Sequence, residues 1–393
     1  MFAQVGEQWT VQKEENAVGA VPESLHQMIE QQVERLNAEE QGVLEAASVA
    51  GVEFSAAAVT AGVGAEPDAV EDQCTKLACR EQFLRLVGTK EWPDGTVATR
   101  YGFLHALYQE VLYERLPAGR RQRLHQQIGE REEQAYGDRA REVAAELAVH
   151  FERGHDYRRA TRYLQQAAEN AQRKNAYQEA VSLATRGLQL LTDVSDTPER
   201  TQQEPRLHLV LGETSMAIRG YSAPEVEQTY NRALTLCRQI GETPQLSSAL
   251  GGLAAFYMVR GKIRVAHELF GNLLRIAQRA QNPVLLQRAH YALGEVLFYF
   301  GELSEAQAHL DQAIALYDPQ TRRPLAFLDH GVTCLSIAAY TLWVRGYPDQ
   351  ALQRRQAALT LAQELLHPFS LGFALQTGAH FHLWRRNGKA AQE

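Results

Sequence analysis

The 393 residues include 47 acidic and 40 basic side chains, a net charge of −7, and 45% of them are hydrophobic. That hydrophobic fraction is enough for real cores and excludes a disordered chain, while the acidic balance disfavours non-specific attraction to nucleic acid or to an anionic membrane. Cys74, Cys79, Cys237 and Cys334 show no CxxC spacing and are read as reduced thiols.

At the amino terminus, Met1 to Ala20 carries Glu7, Glu14 and Glu15 and lacks the charged start and apolar run of a signal peptide. No stretch approaches the ~20 uninterrupted apolar residues that span a bilayer, so the expected location is the cytoplasm, without membrane contact. Asn37 is placed to cap a helix through Val43, Leu44, Ala47 and Ala50 to Gly51, and Ser55 to cap a second, short one. A third helix is expected from about Pro67 to Gln82. An alternating segment, Phe83 to Val87, then leads through the turn Trp92-Pro-Asp-Gly95 to a second strand, Val97 to Phe103. Three helices followed by a β-hairpin describe a winged-helix-like domain, expected with its connecting helices over 37–140.

A winged helix raises the question of DNA. From Asn37 to Pro117 there are 13 acidic and 6 basic residues. The would-be recognition helix carries Glu66, Asp68, Glu71, Asp72 and Glu81 against Lys76 and Arg80. Phosphate contacts supply most non-specific affinity, and this surface repels them, so a nucleic-acid partner is not expected. Arg120, Arg121 and Arg123, on a helix with His125, form the compact basic cluster of the chain and read as a solvated face paired with nearby glutamates.

From about residue 141 to 393 the pattern changes to an internal repeat. Gly261, Gly301, Gly346 and Gly388 are spaced by 40, 45 and 42 residues, and Gly220 extends the series back by 41. In GKIRVA (from Gly261), GELSEA (from Gly301) and GYPDQA (from Gly346), alanine follows the turn glycine by five residues. HDYRRA (from His155) and NAYQEA (from Asn175) show the same turn chemistry earlier. Thr192 to Pro205, polar and with two prolines, reads as a connecting loop near 192–205. Apolar stripes at three- and four-residue spacing, Ala266, Phe270, Leu273, Ala277 and Ala306, Leu310, Ala313, Tyr317, mark one buried face per helix. The helix before Gly301 buries Ala289, Leu293, Val296 and Phe300 in the same way. A helix–turn–helix unit cannot hide its apolar faces alone, so the fold class is mainly α, a winged-helix-like domain followed by an α-solenoid whose last repeat is incomplete.

No GxxxxGK[ST] loop, HExxH pair or GxSxG elbow is present, so no catalytic residue, cofactor or metal ligand is assigned. Off the packing stripe of the helix before Gly301 lie Arg288, Tyr291, Glu295 and Phe298, and before Gly346 lie Tyr340 and Trp343. Aromatic residues interleaved with charge offer large contact area at low entropic cost, so these six are the candidates for a groove that takes a protein segment or small effector. Inter-repeat packing is the alternative role for each ring.

Two long runs, VPESLHQMIEQQVERLNAEEQGVLEAASVAGVEF (Val21 to Phe54) and YGFLHALYQEVLYERLPAGRRQRLHQQIG (Tyr101 to Gly129), resemble the segment that follows the ATPase core in bacterial multidomain signalling ATPases. Later runs, AAFYMVRGKIRVAHELF, IALYDPQ and LWVRGYPDQAL, look like the tetratricopeptide repeats of that family, in which an adenylate/guanylate cyclase domain often stands first. The resemblance implies that residues 1–36 are a remnant or linker after an absent ATPase core, with Trp9 to Val11 its tail. It implies that the chain is a non-catalytic regulatory segment and that an ATPase core docks on the winged helix. Phe103-Leu104-His105 matches the family's nucleotide-sensing histidine, which makes His105 a relic of that sensor, with capping or packing as its role here. The rival readings are the carboxy-terminal part of a full cyclase or ATPase, and a transcriptional regulator similar to maltose-activator-type repeat proteins.

Overall fold

The computed structural model describes residues 2–5, 8–11, 23–195, 197–241, 244–319 and 328–386. It divides into two compact units, one ending at Asp156 and the other beginning at Tyr157. The division lies after the point near residue 141 at which repeat periodicity sets in.

The first unit opens with a two-stranded antiparallel hairpin, β1 (Phe2–Val5) and β2 (Gln8–Val11), followed by helix α1 (Glu23–Glu34). Ile29 and Val33 of α1, four residues apart, are buried, and the helix packs on α5 (Ala106–Arg115). Asn37 begins α2 (Ala38–Ala50) with a reciprocal capping box: its side chain accepts from the Glu40 amide at 2.8 Å, and its own amide donates to Glu40 at 3.2 Å. Strand β3 (Glu53–Ser55) follows, and the Ser55 hydroxyl accepts from the Ala57 amide to start α3 (Ala56–Val63). Helix α4 (Pro67–Cys79) stops three residues short of the expected Gln82, because Glu81 turns to a φ of 49° and breaks the helical path.

Strands β4 (Leu84–Glu91) and β5 (Val97–Phe103) form the hairpin, and β3 pairs with the other edge of β5, giving the antiparallel order β3-β5-β4. The third strand is too short for alternation to show in the sequence. Helix–strand–helix–helix–strand–strand is the winged-helix-like order. The unit closes with α5, α6 (Ala118–Tyr136), a 3-10 turn over Gly137–Val143 and α7 (Ala144–Arg153). Leu44, Leu77, Leu84, Tyr101, Leu112, Ile128 and Phe151 are among its fully buried side chains.

The second unit is a series of antiparallel helix pairs: α8 (Tyr157–Arg173) with α9 (Tyr177–Leu191), α10 (Pro198–Arg219) with α11 (Pro224–Ile240), and α12 (Pro244–Val259) with α13 (Ile263–Arg279). The pairs α14 (Pro283–Phe300) with α15 (Leu303–Ala315) and α16 (His330–Val344) with α17 (Pro348–Glu364) follow, and then α18 (Pro368–Trp384). This is a tetratricopeptide-like solenoid. Gly220, Gly261, Gly301 and Gly346 have φ of 73° to 87°, the left-handed region in which glycine meets no Cβ penalty. The turn at Gly388 lies outside the described residues.

The stripes pack as their spacing requires. Ala266, Phe270, Leu273 and Ala277 are buried with Ala289, Leu293 and Val296 in one cluster, each large side chain contributing about 2 kcal/mol by leaving water. Phe300 departs from its stripe. At the last residue of α14 it is exposed, and its ring lies edge-on to His267 at 5.7 Å. The connecting loop is also shorter than expected, since α10 already begins at Pro198. Proline is tolerated at a first helical position because its missing N–H has no intrahelical acceptor there, and the Thr197 side chain accepts from the Arg200 amide. Pro205 lies inside α10 and is buried.

The rings and the glycines explain how close the pairs come. The Tyr230 ring of α11 is fully buried between Gly212 of α10 and Gly252 of α12. A Cβ at Gly212 would lie 2.7 Å from the ring, and one at Gly252 would lie 2.2 Å from it. Gly294 of α14 stands in the same relation to Leu310 of α15, at 2.6 Å.

Candidate functional site

Within the second unit first helices touch the first helix of the next pair at four of five steps, α8 with α10, α10 with α12, α14 with α16, and α16 with α18, whereas successive second helices do not approach as closely. Curvature therefore places the first helices on the concave side. Their unburied faces line the groove.

Four of the groove candidates lie on α14. Arg288, Tyr291, Glu295 and Phe298 follow at spacings of three and four, and all four are half-buried. Burial raises the Glu295 carboxyl above the usual range, opposed by the Tyr291 hydroxyl one turn earlier. Burial likewise raises the Tyr291 phenol well above its usual value, reinforced by the negative charge of Glu295. The Tyr291 ring lies 5.6 Å from that of His330, the first residue of α16, whose imidazole is depressed to about 3 by burial and then by the Arg288 charge. His330 is thus neutral at physiological pH.

Three neighbours are missing from the six candidates. Tyr221, in the turn between α10 and α11, and Tyr299, at the end of α14, both have phenols raised by burial and by the charge of Glu295. With His330 they come from three elements that only folding brings together. A sequence signal existed for Tyr299, which continues the row Tyr291, Glu295, Tyr299 at four-residue spacing.

Tyr340 and Trp343 of α16 are half-buried too, but much of their surface is used within the solenoid. The Tyr340 ring lies 6.4 Å from Phe298 and 5.6 Å from Phe381, nearly parallel to both, and its hydroxyl is 2.7 Å from His380 Nδ1. Trp343 meets Phe381 at 5.4 Å and Trp384 at 6.0 Å. These two rings join α16 to α18, and Phe298 ties that stack to the Glu295 row.

In the first unit one carboxyl of the acidic helix, that of Glu71, is engaged internally. The Thr99 hydroxyl donates to Glu71, and Arg80 pairs with Glu40 at 3.0 Å. Between α4 and the hairpin lies a hollow of about 470 Å³ lined by Thr75, Cys79, Leu86, Thr99 and Tyr101 among others. His105 occupies the N-cap position of α5, exposed, but its side chain makes no capping hydrogen bond and its ring lies 5.9 Å from Tyr108. A side-chain cap is thus not its role. The basic cluster is spread over different partners: Arg120 pairs with Glu45 at 2.6 Å, and Arg121 donates to the Leu116 carbonyl and covers the Tyr113 ring. His125 is buried, its Nδ1 3.1 Å from His150 Nδ1 and its Nε2 2.9 Å from the Tyr113 hydroxyl. Burial depresses both imidazoles, His125 to about 3 and His150 to about 4.

Among the described residues no three His, Cys, Asp or Glu side chains are placed to hold a metal ion, and no helix is long and apolar enough to cross a membrane. Burial and then the charge of Glu71 push the Cys74 thiol up to about 12, which makes it a packing residue.

No protein-family model matches the chain. An uncharacterized protein of Rhizobium meliloti is 24% identical over 290 residues, which is 72% of this chain and 28% of that protein. The chain therefore spans little more than a quarter of its curated relative. Among solved structures, aspartyl phosphate phosphatase F of Bacillus subtilis is similar with a TM-score of 0.52 at 9% identity, over 94% of this chain and 86% of that one. A signal-transduction ATPase with a tetratricopeptide repeat sensor, from Pyrococcus horikoshii, gives a TM-score of 0.48 at 12% identity over 95% of this chain and 65% of that one. At such identities the phosphatase likeness speaks for the fold alone.

Proposed function

We propose that this chain is a non-catalytic regulatory segment whose solenoid holds an extended protein segment in its concave groove. One observation carries the reading: the face of α14 turned away from the packed stripe bears Arg288, Tyr291, Glu295 and Phe298, all partly open to water and continuous with the aromatic stack of α16. A solenoid that needed only to cohere would have no use for a recessed carboxyl on that face, because burying it costs free energy that packing does not return. Rigid rings flanked by isolated charges suit a peptide backbone with alternating side chains.

The resemblance of the amino-terminal runs to signalling ATPases, and a relative about two and a half times as long, support a larger cytoplasmic protein in which an ATPase core docks on the winged-helix-like unit. The acidic balance of that unit argues against DNA as its partner.

The test is an array of extended peptides probed with the purified chain. Binders are then titrated against Tyr291→Ala and Phe298→Ala variants that retain the far-UV circular dichroism of the parent. Each substitution is expected to weaken binding at least tenfold. Binders indifferent to both substitutions, or sustained ATP turnover by the purified chain, would refute the proposal.

A further inference from the structure

Two histidines outside the groove face each other across a helix pair. His290 of α14 and His309 of α15 are nineteen residues apart in the chain, yet their Nδ1 atoms lie 2.9 Å apart, with ring centroids at 5.1 Å and an angle of 35° between the rings. The close seam between the two helices sets that distance. Gly294, one turn after His290, lets Leu310, the neighbour of His309, come so near that a Cβ would stand 2.6 Å from it. His290 thereby turns toward α15, whereas Tyr291 beside it meets His330 of α16. Both imidazoles are half-buried. Among the described residues neither Nε2 has a hydrogen-bond partner, and neither is sealed from water. Each ring can therefore carry its proton on Nε2 and leave the Nδ1 lone pair for another group.

We infer that His290 and His309 form a two-histidine site for a divalent transition-metal ion of the copper(II) or nickel(II) class, which ties α14 to α15. Imidazole nitrogen binds such ions at about 2.0–2.1 Å, so two nitrogens at right angles on one ion stand about 2.9 Å apart, and two at the tetrahedral angle about 3.3 Å. The observed 2.9 Å is the spacing of neighbouring corners of a square plane or an octahedron, which suits copper(II) and nickel(II) better than zinc. The terminal torsion of a histidine is soft, and turning it converges the two lone pairs on one point. Glu305, one turn before His309 on the same face of α15, is exposed and adds negative charge at the edge of the site. The remaining corners belong to water, since no third histidine, cysteine or carboxylate is in place among the described residues. Neither ring belongs to the groove face, so the ion site and the peptide groove stand or fall separately.

The test uses the full chain, with copper(II) and nickel(II) chlorides as probes and magnesium chloride as the blank. Calorimetric titrations compare the parent with His290→Gln, His309→Gln and the double variant, each checked by far-UV circular dichroism. The parent is expected to bind one copper ion at least tenfold more tightly than either single variant, because a second ligand on a fixed scaffold acts at high effective concentration. Nickel should raise the melting temperature of the parent and leave that of the double variant unchanged. Electron spin-echo modulation of the copper complex counts the coordinated imidazoles, two in the parent and at most one in each single variant. Affinity unchanged by both substitutions, or a parent copper signal from a single imidazole, overturns the site. A signal from two imidazoles that persists in the double variant places the ion elsewhere and overturns it too.

Discussion

Gly251 and Gly252 are neighbours in the middle of α12, and substituting either by alanine should move stability in opposite directions. A Cβ at Gly251 would have its nearest neighbours at 3.9 and 4.0 Å, ordinary contact, so only the helix propensity changes and the variant should gain up to about 1 kcal/mol. A Cβ at Gly252 would lie 2.2 Å from two carbons of the Tyr230 ring and 2.7 Å from its hydroxyl oxygen. Restoring ordinary contact requires the ring to move by more than about 1 Å, to judge from usual carbon–carbon separations. It cannot retreat, because on its other side a Cβ at Gly212 would already be only 2.7 Å away and the ring is fully buried. Overpacking of a rigid ring belongs at the upper end of the usual range, about 3 kcal/mol, and the propensity gain offsets about 1, leaving Gly252→Ala destabilised by about 2 kcal/mol. Urea titration followed by far-UV circular dichroism compares the two variants with the parent. In a Tyr230→Leu background, Gly252→Ala should lose most of its penalty, since the obstructing ring is gone. Equal stability of the two alanine variants, or a Gly252→Ala penalty unchanged by Tyr230→Leu, would refute the account of how α10, α11 and α12 interlock.

Asn37→Ala removes both arms of the capping box at α2 and should cost about 1 kcal/mol in a urea titration, with Asn37→Asp close to neutral. The buried imidazoles of His125 and His150 are neutral in the folded state and protonate readily only when unfolded. Their stabilisation is therefore complete above pH 6.5 and falls away as pH drops toward 4, by about 2 kcal/mol per ring at pH 5. Glu132, raised by burial to about 7, works in the opposite sense, so the acid loss is best read in a Glu132→Gln variant, where equal stability at pH 7.5 and 5 would rule out a neutral pair. Because burial raises the Glu295 carboxyl, its ionisation opposes folding. Glu295→Gln should accordingly melt at a higher temperature than the parent at pH 8, and a lower melting temperature would mean that the carboxylate stabilises the solenoid.

What the sequence made legible were features that repeat or that act locally. The turn glycines declare themselves because a left-handed residue is needed at the same place in each unit, and His155 and Asn175, at φ of 61° and 60°, betray the same turn through the alanine that follows. Gln281 and Leu366 take up the left-handed region at φ of 46° and 50° between a second helix and the next first one, where neither glycine nor asparagine advertises it. Proline was misread at Pro198, where loop and helix start share the same residue and only the Thr197 cap decides between them. The helix-interior glycines Gly212, Gly252 and Gly294 recur every 40 and 42 residues and were open to reading. A glycine inside a helix looks like a defect until the partner ring that needs its missing Cβ is known, and Tyr230 and Leu310 lie on other helices. The groove divides in the same way. The row on α14 follows from helical period alone, but Tyr221 and His330 reach it only through the pitch of the stack, which those glycines help to set by letting neighbouring helices close up. Packing and recognition are therefore coupled in this fold: a methyl group at Gly252 that displaces Tyr230 also disturbs the approach of α10 to α12, two of the helices whose faces line the groove. Residues silent in the groove can thereby govern what it binds.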